Sequence, residues 1–309
     1  MRSDNRLRIL VAITNYGKSQ SRYLLEVLAQ YESWPCHVDA IIYSTDELNF
    51  HSVKISITNK LFDESIEAKL GHQHRSDFVR LKNDYDLFIY SENDILIPYS
   101  ALTHWMAEQN SLPADKILGF LVYEESILKG EEIFLPSVSN RIPCIKRLYE
   151  INKKIFFSIH NNHQCCYVLT RRQLNKLVEE RKYYFNPRGR CGYDILESAA
   201  SDPYTCGVFE KIYPIDNASY LLIHHLPNKY VNFGVNEHSL ASFREFISRA
   251  NAVMKEKADI INSSKWAEGS KFCTFFQLLK CNSQLLCMSF IRDMDIYQFF
   301  RRWWRKFPG

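Results

Sequence analysis

The sequence predicts an α/β fold with a mostly parallel central sheet, helices on its faces and a helical C-terminal appendage. Short apolar runs alternate with stretches of helical spacing up to about residue 225, and this alternation is typical of parallel sheets. Hydrophobic residues make up 46% of the 309 residues, and glycine and proline number only ten each. This composition favours one large packed domain, alone or with an appendage, over a linker-rich chain.

Strands and helices are expected in alternating order along the first part of the chain. The expected strands are 8–13, 38–43, 53–57, 87–90, 116–123, 166–169 and 220–223. The expected helices are 21–31, 78–82, 99–109, 172–180 and 195–200, whereas residues 126–160 lack a clear period and are interpreted as irregular. From residue 239 the pattern is helical to the end, so we expect one domain over 1–238 and a helical region over 239–309.

Charge and cysteine content exclude several classes of protein. The net charge is +4, and residues 290–309 alone hold five basic against two acidic side chains, so a nucleic-acid-binding face on the main domain is not expected. Nine cysteines without a C-x-x-C pair fit a reducing compartment, where thiols serve as small core residues. We find no apolar run long enough for a signal peptide or a membrane span, so a cytoplasmic location is expected.

The most informative motif is YDLFIYSEND, residues 85–94. Two carboxylates, Glu92 and Asp94, follow a buried apolar strand, and on an extended chain residues two apart point the same way. Oxygen ligands suit Mg²⁺ or Mn²⁺, which can bridge to a diphosphate and neutralise a leaving nucleotide. An acidic turn after a strand is also common without any function. Its place at the end of the fourth strand of an α/β pattern, where ligands bind, favours an ion site.

The same motif resembles the acid-rich DxD-type motif of GT-A glycosyltransferases, in the variant that begins with Glu. Looser similarity extends over residues 7 to about 232, in ILVAITNYG (9–17), GHQHR (71–75), NNHQCCYVLTRRQL (161–174) and HHLPNKY (224–230). The resemblance implies a GT-A fold and transfer of a sugar from a nucleotide-sugar donor, a UDP-sugar, to a glycan or lipid-linked acceptor. Asn93 stands where the family often has a second acid, which leaves Glu92 and Asp94 to bind Mn²⁺ or Mg²⁺.

The resemblance also implies a set of donor-binding residues at the strand ends. These are Thr14, Asn15, Tyr16, Asp46, Arg75, Glu92, Asn93 and Lys229. A guanidinium fork suits a diphosphate, which is the role implied for Arg75. Lys229 would neutralise phosphate, although a solvated lysine is the simpler interpretation. His224 or His225 looks like the histidine near the end of the catalytic domain that contacts the metal or a phosphate in many GT-A enzymes. Adjacent residues of a strand face opposite ways, so we expect only one of the two histidines in the site.

Candidates for the catalytic base, needed if the reaction inverts configuration, are two pairs of acids. Asp194 and Glu197 lie three residues apart at a predicted helix start and therefore share a face. Glu124 and Glu125 follow the predicted strand 116–123; Glu124 is a further candidate base and Glu125 an acceptor contact. A retaining enzyme would need none of them as a base.

A cluster of histidine and cysteine lies between these pairs in the sequence. His163 and Gln164 are expected to line the acceptor pocket. The H-x-x-H-x-C-C spacing of His160, His163, Cys165 and Cys166 also suggests zinc, but adjacent cysteines lie on opposite sides of a strand and fit a tetrahedral site poorly. Core packing of both cysteines is the alternative that the pattern favours.

The end of the chain predicts a basic amphipathic helix. Apolar side chains recur on one helix face, at Ile296, Phe299, Phe300, Trp303, Trp304 and Phe307, with Arg301, Arg302 and Arg305 opposite. Such a helix is typical of peripheral contact with an anionic membrane, here the inner face of the plasma membrane. Packing on the first domain or on a second subunit is the alternative.

Two other functions are compatible with an α/β fold and an acidic motif at a strand end. A sugar nucleotidyltransferase usually carries a glycine-rich basic loop after its first strand, whereas TNYGKSQ (14–20) has one glycine and one lysine. A catalytically degenerate GT-A domain that acts as a scaffold in a glycan assembly complex is the non-enzymatic alternative. Metal-dependent binding of UDP would distinguish an enzyme from a scaffold.

Overall fold

The computed structural model describes residues 6–126, 132–134, 145–159, 163–229 and Ser248. Of the C-terminal region, only Ser248 lies among them. The predicted helices after residue 239, the amphipathic tail and the domain boundary near residue 238 therefore lie outside the described residues. None of the described helices is both long enough and apolar enough to cross a bilayer.

The described residues contain thirteen strands and five α-helices. The strands are β1 (Arg8–Asn15), β2 (His37–Ser44), β3 (Ser56–Leu61), β4 (Leu87–Glu92), β5 (Ile95–Leu96), β6 (Lys116–Leu118), β7 (Leu121–Ser126), β8 (Glu132–Phe134), β9 (Ile145–Ile151), β10 (Lys154–Ile159), β11 (Cys166–Thr170), β12 (Glu210–Pro214) and β13 (Leu222–His225). The helices are α1 (Ser21–Glu32), α2 (His74–Arg80), α3 (Tyr99–Gln109), α4 (Arg171–Glu179) and α5 (Ile195–Thr205).

The central sheet has five strands in the order β11-β4-β1-β2-β3. The strands β1 to β4 run parallel, and β11 joins β4 antiparallel at one edge. Residues 9–13 of β1 are at most 1% exposed, because the strand lies at the centre of a sheet that is covered on both faces. These features confirm the predicted α/β class and its mostly parallel central sheet.

Two smaller sheets of four strands each adjoin the central one. Their orders are β6-β12-β10-β9 and β5-β13-β7-β8. In the second of these sheets, β13 pairs parallel with β7 and antiparallel with β5, which follows β4 after a tight turn. This pairing carries the end of β13 to the end of β4, and His225 thereby reaches the acidic motif.

The predicted strand 116–123 is two strands, β6 and β7, in two different sheets. The chain leaves one sheet for the other at Gly119, where an added Cβ would lie 2.7 Å from the Tyr213 ring and 2.8 Å from the Lys211 side chain. Only glycine fits so close an approach, and the apolar pattern alone does not reveal it. The predicted strand 53–57 also differs, since the observed β3 begins only at Ser56.

The interpretation of residues 126–160 as irregular is wrong for the part that the structure describes. The strands β9 and β10 form an antiparallel hairpin in which Ile151 pairs with Lys154. Asn152 and Lys153, which connect them, both have positive φ, at 53° and 63°. Two such residues make the type I′ turn that matches the twist of a hairpin. Asn-Lys predicts this turn more weakly than Asn-Gly does, and the sequence pattern therefore does not indicate the hairpin.

Candidate functional site

The carboxyl ends of β1, β2 and β4 meet at one edge of the central sheet. Thr14 lies beside Glu92 in the β1–β4 register, and Asn15 lies beside Ser44 in the β1–β2 register. The buried Asn15 amide donates to Ser44 Oγ at 3.0 Å and accepts from Asn93 Nδ2 at 2.6 Å. Asn15 therefore ties together the loops that follow three strands. Both ends of the Asn15 amide are thus engaged inside the protein, which contradicts its expected contact with the nucleotide-sugar donor; for Asn93 that contact remains a prediction.

The two carboxylates of the motif lie where β4 ends. Glu92 is the last residue of β4, and Asn93 and Asp94 form the tight turn that leads into β5. The atoms Glu92 Oε1 and Asp94 Oδ1 are both buried, and neither accepts a hydrogen bond. Burial and, next, the charge of Asp94 raise the pKa of Glu92 to about 8. Two close, buried acceptors of this kind are costly without a cation to compensate them.

His225 completes this acidic group from β13. Its Nε2 lies 3.5 Å from Asp94 Oδ2, and its Nδ1 lies 2.5 Å from Glu124 Oε1. Burial alone would lower the pKa of His225, but the hydrogen bonds to Asp94 and Glu124 outweigh it and raise the pKa to about 9. A ring held by a carboxylate at Nδ1 with Nε2 directed at further oxygen ligands is the usual arrangement of a metal-binding histidine.

Glu124 is fully buried on β7 and serves His225. This position contradicts its prediction as a catalytic base, because its carboxylate is committed to orienting the imidazole. Glu125, the next residue, is exposed, and its backbone N–H donates to Asn228 Oδ1 at 2.9 Å. Its expected contact with the sugar acceptor remains a prediction.

His224 faces away from the acidic group. Its ring stacks on Tyr123 at a centroid distance of 4.7 Å, and its Nε2 lies 3.2 Å from Asn228 Oδ1. Successive residues of a strand point to opposite faces, so the two adjacent histidines separate as the sequence predicts. Of the pair, His225 is the one placed to bind an ion.

Asp194 and Glu197 begin α5 and form a reciprocal cap. Asp194 Oδ1 accepts from the Glu197 backbone N–H at 2.7 Å, and Glu197 Oε2 accepts from the Asp194 backbone N–H at 3.1 Å. The capping box explains their spacing without any catalytic role. Both carboxylates nevertheless lie close enough to Glu92 that their charges raise its pKa. The structure therefore brings this predicted pair to the edge of the acidic group.

His163 and Cys165 approach Glu92 from the start of β11. Their ligand atoms and a carboxylate oxygen of Glu92 all lie within 4.8 Å of one another. Cys166, by contrast, is fully buried in the core. His160 lies outside the described residues. The ligand set that the structure assembles thus differs from the four residues that the sequence spacing suggested.

Arg75 does not lie where a diphosphate would bind. Its fully buried guanidinium forms an ion pair with Asp202 at 2.9 Å and donates to the carbonyls of Ser198 and Ala199 in α5 and of Tyr184. Both terminal nitrogens of the guanidinium therefore donate inside the protein, and Nε is buried without a hydrogen-bond partner. This contradicts the implied diphosphate contact and gives Arg75 a structural role.

Gln164 is a core residue as well. Its Oε1 accepts from the Phe120 backbone N–H and from Lys211 Nζ, both at 3.1 Å, and its Nε2 donates to the Tyr204 hydroxyl at 2.8 Å. All its polar groups are satisfied in the interior. This contradicts the expectation that Gln164 lines an acceptor pocket.

We expect Lys211→Met to stabilise the protein more at pH 6 than at pH 10. Burial lowers the pKa of Lys211 to about 7, whereas an unfolded chain keeps a lysine near 10.5. The cost of burying the amine is therefore largest below pH 7, declines as the pH rises from 7 to 10.5 and is absent above that. Thermal denaturation at the two pH values measures the effect, with the exposed Lys54→Met as control. A change in Tm that is equal at both would contradict the argument.

The other residues predicted to bind the nucleotide-sugar donor lie near the ends of β1, β2 and β13. Thr14 Oγ1 lies 3.3 Å from the Tyr90 hydroxyl, and the exposed Tyr16 donates to the Glu64 carbonyl at 3.3 Å. Asp46 follows β2, and its Oδ2 is buried without a hydrogen-bond partner. Lys229 is exposed in the loop after β13. Asp46 thus offers an unsatisfied acceptor to a ligand at this edge.

A cavity of about 740 Å³ opens at the other end of β4 and is lined by Asp86, Arg171 and Lys176 among others. The six residues of β4 separate it from Glu92 by about 17 Å. It is therefore distinct from the acidic group. Ligands of open parallel sheets bind at the carboxyl ends of the strands, which favours the Glu92 end.

Comparison with known proteins does not add a relative: no protein-family model matches the chain, and no curated protein is significantly similar to it. The candidate function therefore rests on the geometry of the group formed by Glu92, Asp94, Glu124 and His225.

Proposed function

We propose that this protein is a metal-assisted glycosyltransferase that moves a sugar from a nucleotide-sugar donor to a glycan or lipid-linked acceptor. One observation carries the proposal. At the carboxyl ends of a mostly parallel sheet, Glu92, Asp94 and His225 converge, and two carboxylate oxygens there are buried without a hydrogen-bond donor. The resemblance of the YDLFIYSEND motif to that of GT-A glycosyltransferases supplies the reaction class.

The residues present fit a divalent cation. Glu92 and Asp94 contribute oxygen ligands, and His225 contributes Nε2 while Glu124 holds its Nδ1. Mn²⁺ accepts such a mixed oxygen and nitrogen set, and Mg²⁺ prefers the oxygens. A bound cation would neutralise the charge that develops on a departing nucleoside diphosphate.

The charge of the group also favours a bound cation. Among the charges that act on Glu92, the carboxylates of Asp94, Asp194 and Glu197 raise its pKa, and the imidazole of His225 lowers it. A diphosphate would be repelled by this excess of negative charge. Arg75, the arginine that the resemblance implied for neutralisation, is buried in its pair with Asp202. A divalent ion would both satisfy the carboxylates and attract the donor.

The loops after β1 and β2 offer a place for the nucleoside. Gly17, with φ at 73°, turns the first loop so that its backbone N–H donates to Thr45 Oγ1 at 3.1 Å. The two loops are thereby held together beside Asp46, whose buried Oδ2 is free of hydrogen bonds. An acceptor in this position suits a ribose hydroxyl or a base N–H, and we propose a UDP-sugar as donor.

The acceptor would meet the donor beside the start of α5. Asp194 is exposed there, and one of its oxygens already caps the helix. Its charge raises the pKa of Glu92, and its second oxygen is the one we propose to accept the proton of an acceptor hydroxyl. If transfer inverts configuration, Asp194 is the base we propose, and Glu197 holds it in place through the reciprocal cap.

A nucleotide-release screen tests the proposed function. Purified full-length protein is incubated with UDP-, GDP-, dTDP- and CMP-sugars and short glycan acceptors, with and without Mn²⁺. We expect release of one nucleotide, dependent on the metal. Metal-dependent UDP binding without turnover on any donor would instead indicate a scaffold. Absence of metal-dependent nucleotide binding in calorimetry would overturn the proposal.

Asparagine substitutions at His225 and at His224 test which of the two histidines binds the metal. Asparagine keeps an N–H for Glu124 but lacks Nε2, so we expect Mn²⁺-dependent UDP affinity to fall by at least about 100-fold, because losing even a hydrogen-bond partner of a metal ligand costs about 10- to 100-fold. His224→Asn, the same change one residue away on the opposite face, should alter affinity by less than about threefold. Calorimetry at fixed Mn²⁺ measures both. Equal, mild effects would leave both histidines with a structural role.

The membrane contact remains a prediction from sequence, because residues 290–309 lie outside the described part of the chain. A lipid-linked acceptor would give a cytoplasmic transferase a reason to carry such a basic helix at the inner face of the plasma membrane.

A further inference from the structure

We propose that Glu92, His163 and Cys165 form a second metal site, containing a thiolate and suited to Zn²⁺, beside the group formed by Glu92, Asp94 and His225. The ligand atoms of the three residues lie within 4.8 Å of one another. Nothing in the proposed transferase reaction requires a cysteine or His163 at this position. The site therefore goes beyond that function and can exist without it.

Strand pairing brings the three residues together. The strand β11 pairs with β4 so that Cys166 lies beside Ser91, and the Glu92 backbone N–H donates to the Cys165 carbonyl at 3.1 Å. Cys165 thus faces the end of β4 across one rung of the sheet. The three residues are half-buried, which keeps the group accessible to an ion while limiting the water around it.

The backbone of Cys165 is held in an unusual conformation. Its φ of 57° lies in the left-handed region that side chains other than glycine rarely adopt. Such a conformation is energetically unfavourable and persists where the surroundings impose it, often at ligand sites. Here it precedes a regular strand whose first residue, Cys166, packs in the core. The two adjacent cysteines therefore lie on opposite sides of the chain, Cys165 beside Glu92 and Cys166 in the core.

His163 presents one ring nitrogen to the thiol and the other to α5. Its Nε2 lies 3.1 Å from Cys165 Sγ, and its Nδ1 lies 3.5 Å from Ser201 Oγ. A histidine ligand is commonly oriented in this way, by a hydrogen bond at the nitrogen that does not bind the metal. Glu92 supplies the third ligand, and its Oε1 is buried without a hydrogen-bond partner.

The ligand types select a borderline-soft ion. A set of one sulfur, one nitrogen and one oxygen suits Zn²⁺ or Co²⁺, whereas Mg²⁺ and Mn²⁺ favour oxygen. The thiol would release its proton to solvent as the metal binds. Three protein ligands leave the fourth tetrahedral position open for water or a substrate. Because Glu92 belongs to both groups, Zn²⁺ here would compete with Mn²⁺; this last consequence rests on the proposed function.

Cobalt binding to the full-length, metal-free protein tests the site directly. We expect one Co²⁺ per chain, with a near-ultraviolet thiolate-to-cobalt absorption band and the visible bands of tetrahedral Co²⁺. Cys165→Ser should abolish the near-ultraviolet band, and His163→Ala should weaken binding more than about 10-fold. Cys191→Ser, a change at an exposed cysteine, should leave the spectrum unchanged. A wild-type protein without the band, or a Cys165→Ser variant that keeps it, overturns the proposal.

A second measurement needs no variant and so cannot fail through misfolding. Alkylation of the wild-type protein by iodoacetamide is followed by mass spectrometry at Cys165 and, as internal control, at the exposed Cys191. We expect Zn²⁺ to slow modification of Cys165 by more than about 10-fold and Mg²⁺ to leave it unchanged. Equal modification of Cys165 with and without Zn²⁺ overturns the site.

Asp94→Asn distinguishes this site from the proposed transferase centre. We expect this variant to lose Mn²⁺-dependent nucleotide binding while it keeps the cobalt–thiolate band, because Asp94 is not a ligand of the second site. If the wild-type protein shows no cobalt–thiolate band but transfers sugar in a metal-dependent way, the zinc site alone is refuted. If the wild-type protein shows the band but binds no nucleotide, the proposed transferase function alone is refuted.

Discussion

Replacing Asp94 by asparagine is expected to lower sugar transfer by about 1,000-fold, with the fold intact. Asparagine keeps the shape of the side chain and removes its charge, and a cation held at this turn contributes several kcal/mol to the transition state. A thousand-fold loss corresponds to about 4 kcal/mol, which is within that range. Nucleotide release at saturating Mn²⁺ measures the loss, and circular dichroism checks the fold.

The matched control is the same substitution at Asp115. Its carboxylate is 61% exposed and pairs with Lys116 at 2.9 Å on the surface. Exposed pairs contribute little to stability, so Asp115→Asn should retain transfer within about twofold. If Asp94→Asn keeps more than a tenth of wild-type turnover and still responds to Mn²⁺, the assignment of Asp94 as a metal ligand is wrong.

The central sheet could be predicted because a parallel strand that is buried on both faces consists of consecutive apolar residues. Residues 9–13 and 87–90 are continuous apolar runs, and both appear as strands that are covered on both faces. The helix predicted over 99–109 is α3 as observed. What the pattern missed depends on contacts distant in sequence: Gly119 separates two strands because Tyr213, far along the chain, packs against it.

The same distinction applies to the site. The alternation of His224 and His225 is local, and the structure places the two rings on opposite sides as that rule predicts. The rule for an extended chain does not describe Asp94, which lies in the turn after β4, although its charge still acts on Glu92. The approach of Cys165 to Glu92 depends on the pairing of β11 with β4, which no local pattern encodes. Arg75 was misassigned for a similar reason, since its partner Asp202 lies 127 residues away.

The Arg75–Asp202 pair should be essential for stability rather than for donor binding. Both side chains are at most 2% exposed, so Arg75→Ala would leave the Asp202 carboxylate buried with Arg190, at 3.4 Å, as its one cationic partner among the residues that the structure describes. Breaking a buried pair by removing one member costs about 3–5 kcal/mol. We expect a loss near that size in the free energy of unfolding, measured by urea denaturation.

Arg80→Ala is the control for this change. Arg80 is 63% exposed and pairs with Asp77 at 2.8 Å, so its removal should cost less than about 1 kcal/mol. The double variant Arg75→Met, Asp202→Leu removes both buried charges together and should regain part of the lost stability, because the penalty comes from an uncompensated charge. An Arg75→Ala protein with wild-type stability but much weaker affinity for UDP would contradict this interpretation. That result would return Arg75 to the diphosphate contact that the sequence resemblance implied.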